Sequence, residues 1–215
     1  EFPLLIKFIE ASSNLSVQVH PDDNFARERH NAWGKTEMWY ILEAQPGSRI
    51  YSGFKEPINE EEFRKALNIG KLPDILNIEY PRAGDAFFTP AGRIHAIGSG
   101  IILVEIQQTS DITYRIFDWN RNDDNNKPRE LHVELAAAAL DYNACGSALI
   151  RKEPVAGKTV NIVDSEYFVT NIIYLTSSLK KDYTLLDSFV IYICVEGKFT
   201  IYWDKSSETV IKGET

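Results

Sequence analysis

The chain is poor in cysteine and has no compact cysteine motif for a metal. Among its 215 residues only Cys145 and Cys194 are cysteines, and neither belongs to a CxxC pair. We therefore expect two reduced thiols in a cytoplasmic protein. A disulfide between the two cysteines is the less favoured alternative.

Positive charge is also scarce, since 23 lysines and arginines face 31 acidic residues and the formal net charge is -8. This negative charge argues against a protein whose role is to bind nucleic acid or an anionic membrane through bulk charge. No apolar run is long enough to cross a bilayer, and residues 1–7 lack the order of a signal peptide. A phosphorylated small molecule would need a local basic pocket.

The two ends of the sequence also lack features of a complete chain. There is no starting Met, and residues 210–215 resemble a strand and turn without a following partner strand. We expect a fragment of a longer protein.

What the sequence has in quantity is short strand-like segments. Gly, Pro, Asn and Asp separate them, as in turns between strands. Many short strands of this kind predict a mainly β barrel or sandwich. The clearest are residues 15–19, 38–42, 101–106 and 114–119.

Two helices are expected between the strands. Asn59 precedes three glutamates and then an apolar stripe, which is the pattern of a capped helix N-terminus. A second helix is predicted over residues 129–142, which include an alanine run.

Strand patterns return after residue 150. Residues 167–175 are strand-like, and residues 189–195 and 199–203 are expected to pair as a hairpin around the turn at 196–198. The predicted division is a metal-binding catalytic domain, a helical connector and an incomplete second β domain, at residues 1–128, 129–150 and 151–215.

Polar side chains alternate along two predicted strands. Ser16, Gln18 and His20 share one face of an extended segment, because residues two apart point the same way. Lys35 and Glu37 share a face where they enter a very apolar strand, so Glu37 should be partly buried. A buried carboxylate needs a cation, a metal or several hydrogen bonds.

A fourth metal-ligand candidate follows a Pro-Ala-Gly turn, which would aim His95 back into a barrel. Together with Gln18, His20 and Glu37 it makes a set of two imidazoles, one carboxylate and one amide oxygen. Such a set suits zinc or another divalent transition metal. His30 and His132 lie in polar segments, and we expect no ligand role for either.

These segments resemble type I mannose-6-phosphate isomerases, especially the shorter bacterial forms. The resemblance rests on Ser-x-Gln-x-His-Pro-Asp at 16–22, Gly-Lys-Thr-Glu-x-Trp-Tyr at 34–40 and Pro-Ala-Gly-x-x-His-Ala-Ile-Gly at 90–98. A fourth run, residues 105–115, supports it. The likeness covers most of residues 3–135, and residues 150–215 match only loosely, as the start of a second domain.

The resemblance implies a cupin-type, jelly-roll β-barrel with a helical connector and the start of a second cupin-like domain. It implies one Zn²⁺ ion held by four ligands: Gln18, His20, Glu37 and His95. It also matches Arg115 and Glu105 to catalytic positions, and Ser16, Lys7 and Lys35 to residues of the sugar-phosphate pocket. Larger eukaryotic relatives carry a tyrosine where this chain has Ile97, so no role is assigned to that side chain.

The implied activity is metal-dependent interconversion of mannose 6-phosphate and fructose 6-phosphate through an enediolate. Glu105, Lys35 and a metal-bound water are open alternatives for the base, and Lys7 and Ser16 would contact the phosphate. Arg115 would stabilise charge, since it hardly loses its proton; its alternative is a surface pair with Asp111 or Asp118. A catalytically silent sugar-phosphate-binding cupin is the competing function, and a cupin oxygenase fits less well. The sequence leaves the oligomeric state open.

Overall fold

The computed structural model describes residues 2–122 and 126–215. The chain divides into two compact units, Glu1–Lys152 with Ser165–Phe168, and Glu153–Asp164 with Val169–Thr215. The division into domains at residues 128 and 150 stays a prediction.

The first unit is built on two antiparallel sheets of five strands each. In spatial order, the first sheet contains β1 (Leu4–Ala11), β8 (Ile101–Gln108), β3 (Glu37–Ala44), β6 (Ala86–Thr89) and β10 (Leu149–Ile150). The second sheet contains β5 (Leu76–Glu79), β4 (Ile50–Phe54), β7 (His95–Ile97), β2 (Val17–Val19) and β9 (Tyr114–Phe117).

The inner faces of the two sheets share one hydrophobic core. Trp39 and Phe87 come from the first sheet, Ile50 and Ile97 come from the second, and all four are buried together. Alternation along each strand places these residues inward and their neighbours outward. The result is the mainly β, cupin-type barrel that was expected.

Four helices lie in the first unit: α1 (Asp23–His30), α2 (Glu60–Asn68), α3 (Leu72–Ile75) and α4 (Val133–Ala139). The predicted capping residue, Asn59, begins α2, and its side chain and that of Glu62 cap each other's backbone N–H groups. Phe63 of α2 and Ala136 of α4 pack in the core on the outer face of the second sheet. The second sheet is therefore covered on both faces.

The helix predicted over residues 129–142 is shorter than expected. It begins at Val133, because His132, the residue before it, pairs with β9 instead: the His132 backbone N–H donates to the Arg115 carbonyl oxygen at 2.7 Å. Helices α1 and α3 were not predicted. Asp22 accepts a hydrogen bond from the Phe25 N–H, so a capping signal for α1 was present in the sequence.

The second unit contains two antiparallel strand pairs, β11 (Thr159–Asp164) with β12 (Val169–Ile173), and β13 (Lys198–Trp203) with β14 (Ser206–Ile211). The hairpin predicted between residues 189–195 and 199–203 is wrong, since residues 189–195 lie in no strand. Strand β13 pairs with β14 through a tight turn, in which Asp204 has a φ of 49°. Aspartate tolerates this left-handed conformation, which suits two-residue hairpin turns.

The thiol and membrane expectations are both compatible with this fold. Cys145 and Cys194 are free cysteines, as predicted. Among the described residues, no helix has the length and apolar character needed to cross a membrane.

Candidate metal centre and active site

Strand β2 carries the first two predicted ligands into the barrel. Val17 and Val19 are buried in the core on the outer face of the second sheet. Gln18, which lies between them, therefore points to the inner face. Its register partner on β7 is His95. His20 follows the strand directly and is almost fully buried.

Backbone carbonyls orient both imidazole rings. His20 Nδ1 lies 2.9 Å from the Ile112 carbonyl oxygen, and His95 Nδ1 lies 2.9 Å from that of Arg93. A carbonyl only accepts hydrogen bonds, so each ring carries its proton on Nδ1 and has an acceptor lone pair on Nε2. The Nε2 atom of His20 lies 3.1 Å from Lys35 Nζ. The two rings are 4.8 Å apart between centroids.

Glu37 reaches the same point from the opposite sheet. Its Oε2 atom accepts a hydrogen bond from Lys35 Nζ and lies 3.5 Å from His20 Nε2. Its Oε1 atom lies 3.3 Å from His95 Nε2. Gln18 Nε2 is also 3.3 Å from His95 Nε2. All four predicted ligands are thus brought together between the sheets.

The electrostatics of this cluster suit a cation. Burial raises the pKa of Glu37, but the Lys35 ammonium and the two imidazoles outweigh burial and hold that pKa well below its usual value. Burial lowers the pKa of His95 to about 3, against the opposing pull of Glu37. A carboxylate beside a neutral His95 imidazole is the combination of protonation states that a divalent metal requires of these two ligands.

One unsatisfied atom tests whether a metal fits. Within the described part of the chain, Glu37 Oε1 is a buried oxygen that accepts no hydrogen bond. The candidate ligand atoms of His20, Glu37 and His95 all lie within 4.8 Å of one another. Two imidazole nitrogens and a carboxylate oxygen match the donor preferences of zinc. The cluster therefore fits a divalent metal ion.

Glu105, one of the predicted catalytic residues, lies beside this cluster on β8. Its Oε2 atom accepts from Trp39 Nε1 at 3.0 Å, and its Oε1 atom accepts from Lys7 Nζ at 3.0 Å. Lys35 Nζ is 4.0 Å from the same Oε1 atom. Glu105 and Lys7 are register partners across β8 and β1. The structure thus joins three predicted site residues in one polar network.

Arg115 and Ser16 approach the centre along the second sheet. Arg115 is the register partner of Gln18 and so shares its face. Its Nη1 atom donates to the Glu130 carbonyl oxygen at 2.8 Å, and its Nε atom is buried. Ser16 Oγ donates to Gln18 Oε1 at 3.4 Å.

Among the residues that the structure describes, Arg115 forms no salt bridge with Asp111 or Asp118, which was the predicted surface alternative. The Asp118 carboxylate instead accepts hydrogen bonds from Arg121 and Arg129.

Comparisons with known proteins support the family resemblance of the sequence motifs, although no family model matches the chain. The mannose-6-phosphate isomerase of Streptococcus mutans is 36% identical over 201 residues, which are 93% of this chain and 63% of that protein. The crystal structure of the mannose 6-phosphate isomerase from Bacillus subtilis aligns with a TM-score of 0.80 at 30% identity, covering 100% of this chain and 68% of that one. The chain belongs to the mannose-6-phosphate isomerase family.

This membership confirms the resemblance found in the motifs. A second relative, the mannose-6-phosphate isomerase ManA of Bacillus subtilis, is 40% identical over 141 residues, which are 65% of this chain and 44% of that protein. The chain thus spans less than two thirds of the length of these two curated relatives.

Two residues beside this cluster were not among the predicted site residues. Trp39 packs its ring 5.3 Å from that of His95 and donates to Glu105. Gln107 is fully buried, and its Oε1 atom accepts from Lys7 Nζ. Each lies two residues from a predicted site residue, so strand alternation alone could have placed both on the inner face.

Proposed function

We propose that this protein is a zinc-dependent aldose–ketose isomerase that interconverts mannose 6-phosphate and fructose 6-phosphate through an enediolate. The observation that carries the proposal is the convergence of His20, Glu37 and His95 around an unsatisfied carboxylate oxygen. Two relatives that are named mannose-6-phosphate isomerase support this choice of substrate. The cytoplasmic location is also proposed, because both cysteines are free thiols.

We assign metal binding to His20, Glu37 and His95, with Gln18 as the fourth ligand. Rotating the Gln18 amide by half a turn exchanges its oxygen and nitrogen with little change of shape. The amide oxygen would then face the centre. When bound, the ion supplies a Lewis acid that stabilises negative charge on the substrate oxygens.

The protein must also move a proton between the first two carbons of the sugar. Glu105 is the base that the contacts favour, because hydrogen bonds from Trp39 and Lys7 hold its carboxylate beside the centre. Lys35 is the alternative, but its ammonium already donates to Glu37. Proton transfer by a positioned carboxylate is a common catalytic device.

Three further side chains are assigned to the substrate. Arg115 has an unpaired, buried Nε donor on the face shared with Gln18, so it would stabilise negative charge on the sugar oxygens. Lys7, whose side chain is 39% exposed, and Ser16 would contact the phosphate as a cation and a hydroxyl donor. These charges offset the acidic balance of the chain locally.

The test is isomerisation by the purified, zinc-loaded protein. We expect fructose 6-phosphate to appear from mannose 6-phosphate, with solvent deuterium entering the product when the reaction runs in heavy water. His95→Ala is the matched inactive control. Binding of mannose 6-phosphate by the metal-loaded protein without turnover would instead support the catalytically silent sugar-phosphate-binding cupin.

A further inference from the structure

The free edge of the second sheet is closed by a side chain rather than by a strand. Strand β9 is the last strand of that sheet, with β2 on its inner side. The Arg115 backbone N–H donates to His132 Nδ1 at 3.2 Å, and the Arg115 carbonyl accepts from the His132 N–H at 2.7 Å. The imidazole thus takes the place of a carbonyl on a neighbouring strand.

The same segment holds the Arg115 side chain. The Glu130 carbonyl oxygen accepts from Arg115 Nη1 at 2.8 Å. Two hydrogen bonds of the Arg115 backbone and one of its side chain therefore hold the guanidinium in place. His132 also begins α4, because its carbonyl accepts from the Ala136 N–H at 2.8 Å. His132 therefore contacts both the start of this helix and the backbone of Arg115.

We propose that neutral His132 positions Arg115 for the isomerase reaction, and that protonation of its imidazole releases Arg115. The inference rests on the proposed role of Arg115 in turnover. Nδ1 can accept the Arg115 N–H only while its lone pair is free. In the protonated ring Nδ1 becomes a donor that faces another donor, and the backbone N–H loses its partner.

The charges around His132 come from three elements. Glu130 Oε2, on the same segment, lies 3.9 Å from His132 Nε2, and Arg129 precedes it in the chain. On β9, the Tyr114 ring lies 6.4 Å from the imidazole. The Tyr114 hydroxyl is 2.6 Å from Nε2 of His30 at the end of α1.

The His132 side chain is 28% exposed, so it can exchange protons with solvent.

Two substitutions separate the hydrogen bond from the charge. His132→Ala removes the acceptor, whereas His132→Asn keeps an amide oxygen near the position of Nδ1 and does not titrate. We expect His132→Ala to lower kcat by about 100-fold with unchanged zinc content, as for a small displacement of a positioning group. We expect His132→Asn to restore most of kcat and to lose less activity than the wild type as the pH falls, because an amide does not take up a proton.

His30→Asn is the matched control, because His30 contacts Tyr114 but makes no hydrogen bond to Arg115. It should keep the wild-type pH profile. A His132→Ala variant with wild-type kcat would overturn the proposal, as would an acid loss in His132→Asn equal to that of the wild type. If His132→Ala does not fold, the His132→Asn profile decides alone.

Hydrogen exchange separates this proposal from the proposed function. The Arg115 amide should exchange about 10-fold faster in His132→Ala than in the wild type, and His132→Asn should retain its protection. This readout needs no turnover. If the wild-type protein is inactive but the Arg115 amide exchanges faster in His132→Ala, the contact is upheld and the isomerase role is refuted. Unchanged exchange in His132→Ala would refute the contact itself.

Discussion

The Nε2 atom of His95 lies 3.3 Å from the Oε1 atom of Glu37, an oxygen that accepts no hydrogen bond from the described residues. Leaving such a buried acceptor unpaired costs roughly 1–3 kcal/mol, and more when the group is charged. The neighbouring imidazoles cannot repair this, because each carries its proton on Nδ1 toward a backbone carbonyl. A divalent cation would satisfy the carboxylate oxygen, and the two Nε2 atoms, which now have Lys35 and Gln18 as partners, would supply two further ligands.

Removing one imidazole should therefore remove the metal. We expect His95→Ala to lower the zinc content of the purified protein from about one ion per chain to near zero, since the variant keeps only one imidazole and one carboxylate beside an amide oxygen, which is a weak zinc ligand. Isomerase activity should disappear with the metal. Elemental analysis after dialysis measures the stoichiometry. His30→Ala is the control, and equal zinc in both variants would refute the ligand assignment.

Glu105 should matter for rate rather than for metal binding. Glu105→Gln keeps an oxygen that can accept from Trp39 or Lys7 but removes the base, so we expect kcat to fall by about 100-fold to 10,000-fold with unchanged zinc. Trp39→Phe removes only the indole N–H and should cost less. Steady-state kinetics on mannose 6-phosphate provide the measurement. Should Lys35→Met abolish exchange of the substrate proton while Glu105→Gln does not, Lys35 is the base.

Arg115 is expected to act on the transition state. Arg115→Ala should keep the zinc and lower kcat more than it raises KM, because an interaction made mainly in the transition state affects kcat. Arg115→Lys keeps the charge but loses the planar fork of donors, so it should recover only part of the rate. Kinetics and zinc content are measured on the same preparations. Wild-type kinetics in Arg115→Ala would remove this residue from the mechanism.

The metal-free protein should lose stability in acid because of the buried site. The pKa of His95 is lowered by burial from 6.5 to about 3 in the folded chain. As the pH falls from 6.5 toward 3, the unfolded chain takes up a proton that the folded chain does not. The free energy of unfolding therefore falls through this window.

Glu37 contributes in the same direction, since its pKa is held below the usual value and its stabilisation is lost as the pH falls through the folded-state pKa. Urea unfolding at several pH values measures the dependence. His95→Asn, which does not titrate, should weaken it, and an unchanged slope in this variant would contradict the assignment.

Local sequence patterns were sufficient to predict several features of this molecule. Alternation put Gln18 and His20 on one face because the side-chain period of a strand is two, and the structure keeps that arrangement. Asn59 predicted the start of α2 because a helix cap involves only residues three apart. The spacing of four motifs was enough to indicate the family.

Other features escaped because their causes are distant in sequence. The expected helix start at residue 129 was wrong, since α4 begins at Val133 and His132 just before it pairs with Arg115 of β9. The partner of β13 was also misassigned, because pairing depends on which strand the turn at Asp204 brings alongside. Trp39 and Gln107 were not predicted as site residues, although strand alternation places both side chains on the inner face of the first sheet.

The sequence by itself determined the strand-rich class, the types of the candidate metal ligands and the family. Each of these follows from residue identities and from spacings of a few positions. Only the tertiary structure decided that Gln18 and His95, 77 positions apart, meet face to face, and that His132 closes the edge beside Arg115. Strand register and sheet packing set such distances, and both depend on burial summed over the whole barrel rather than on any local pattern.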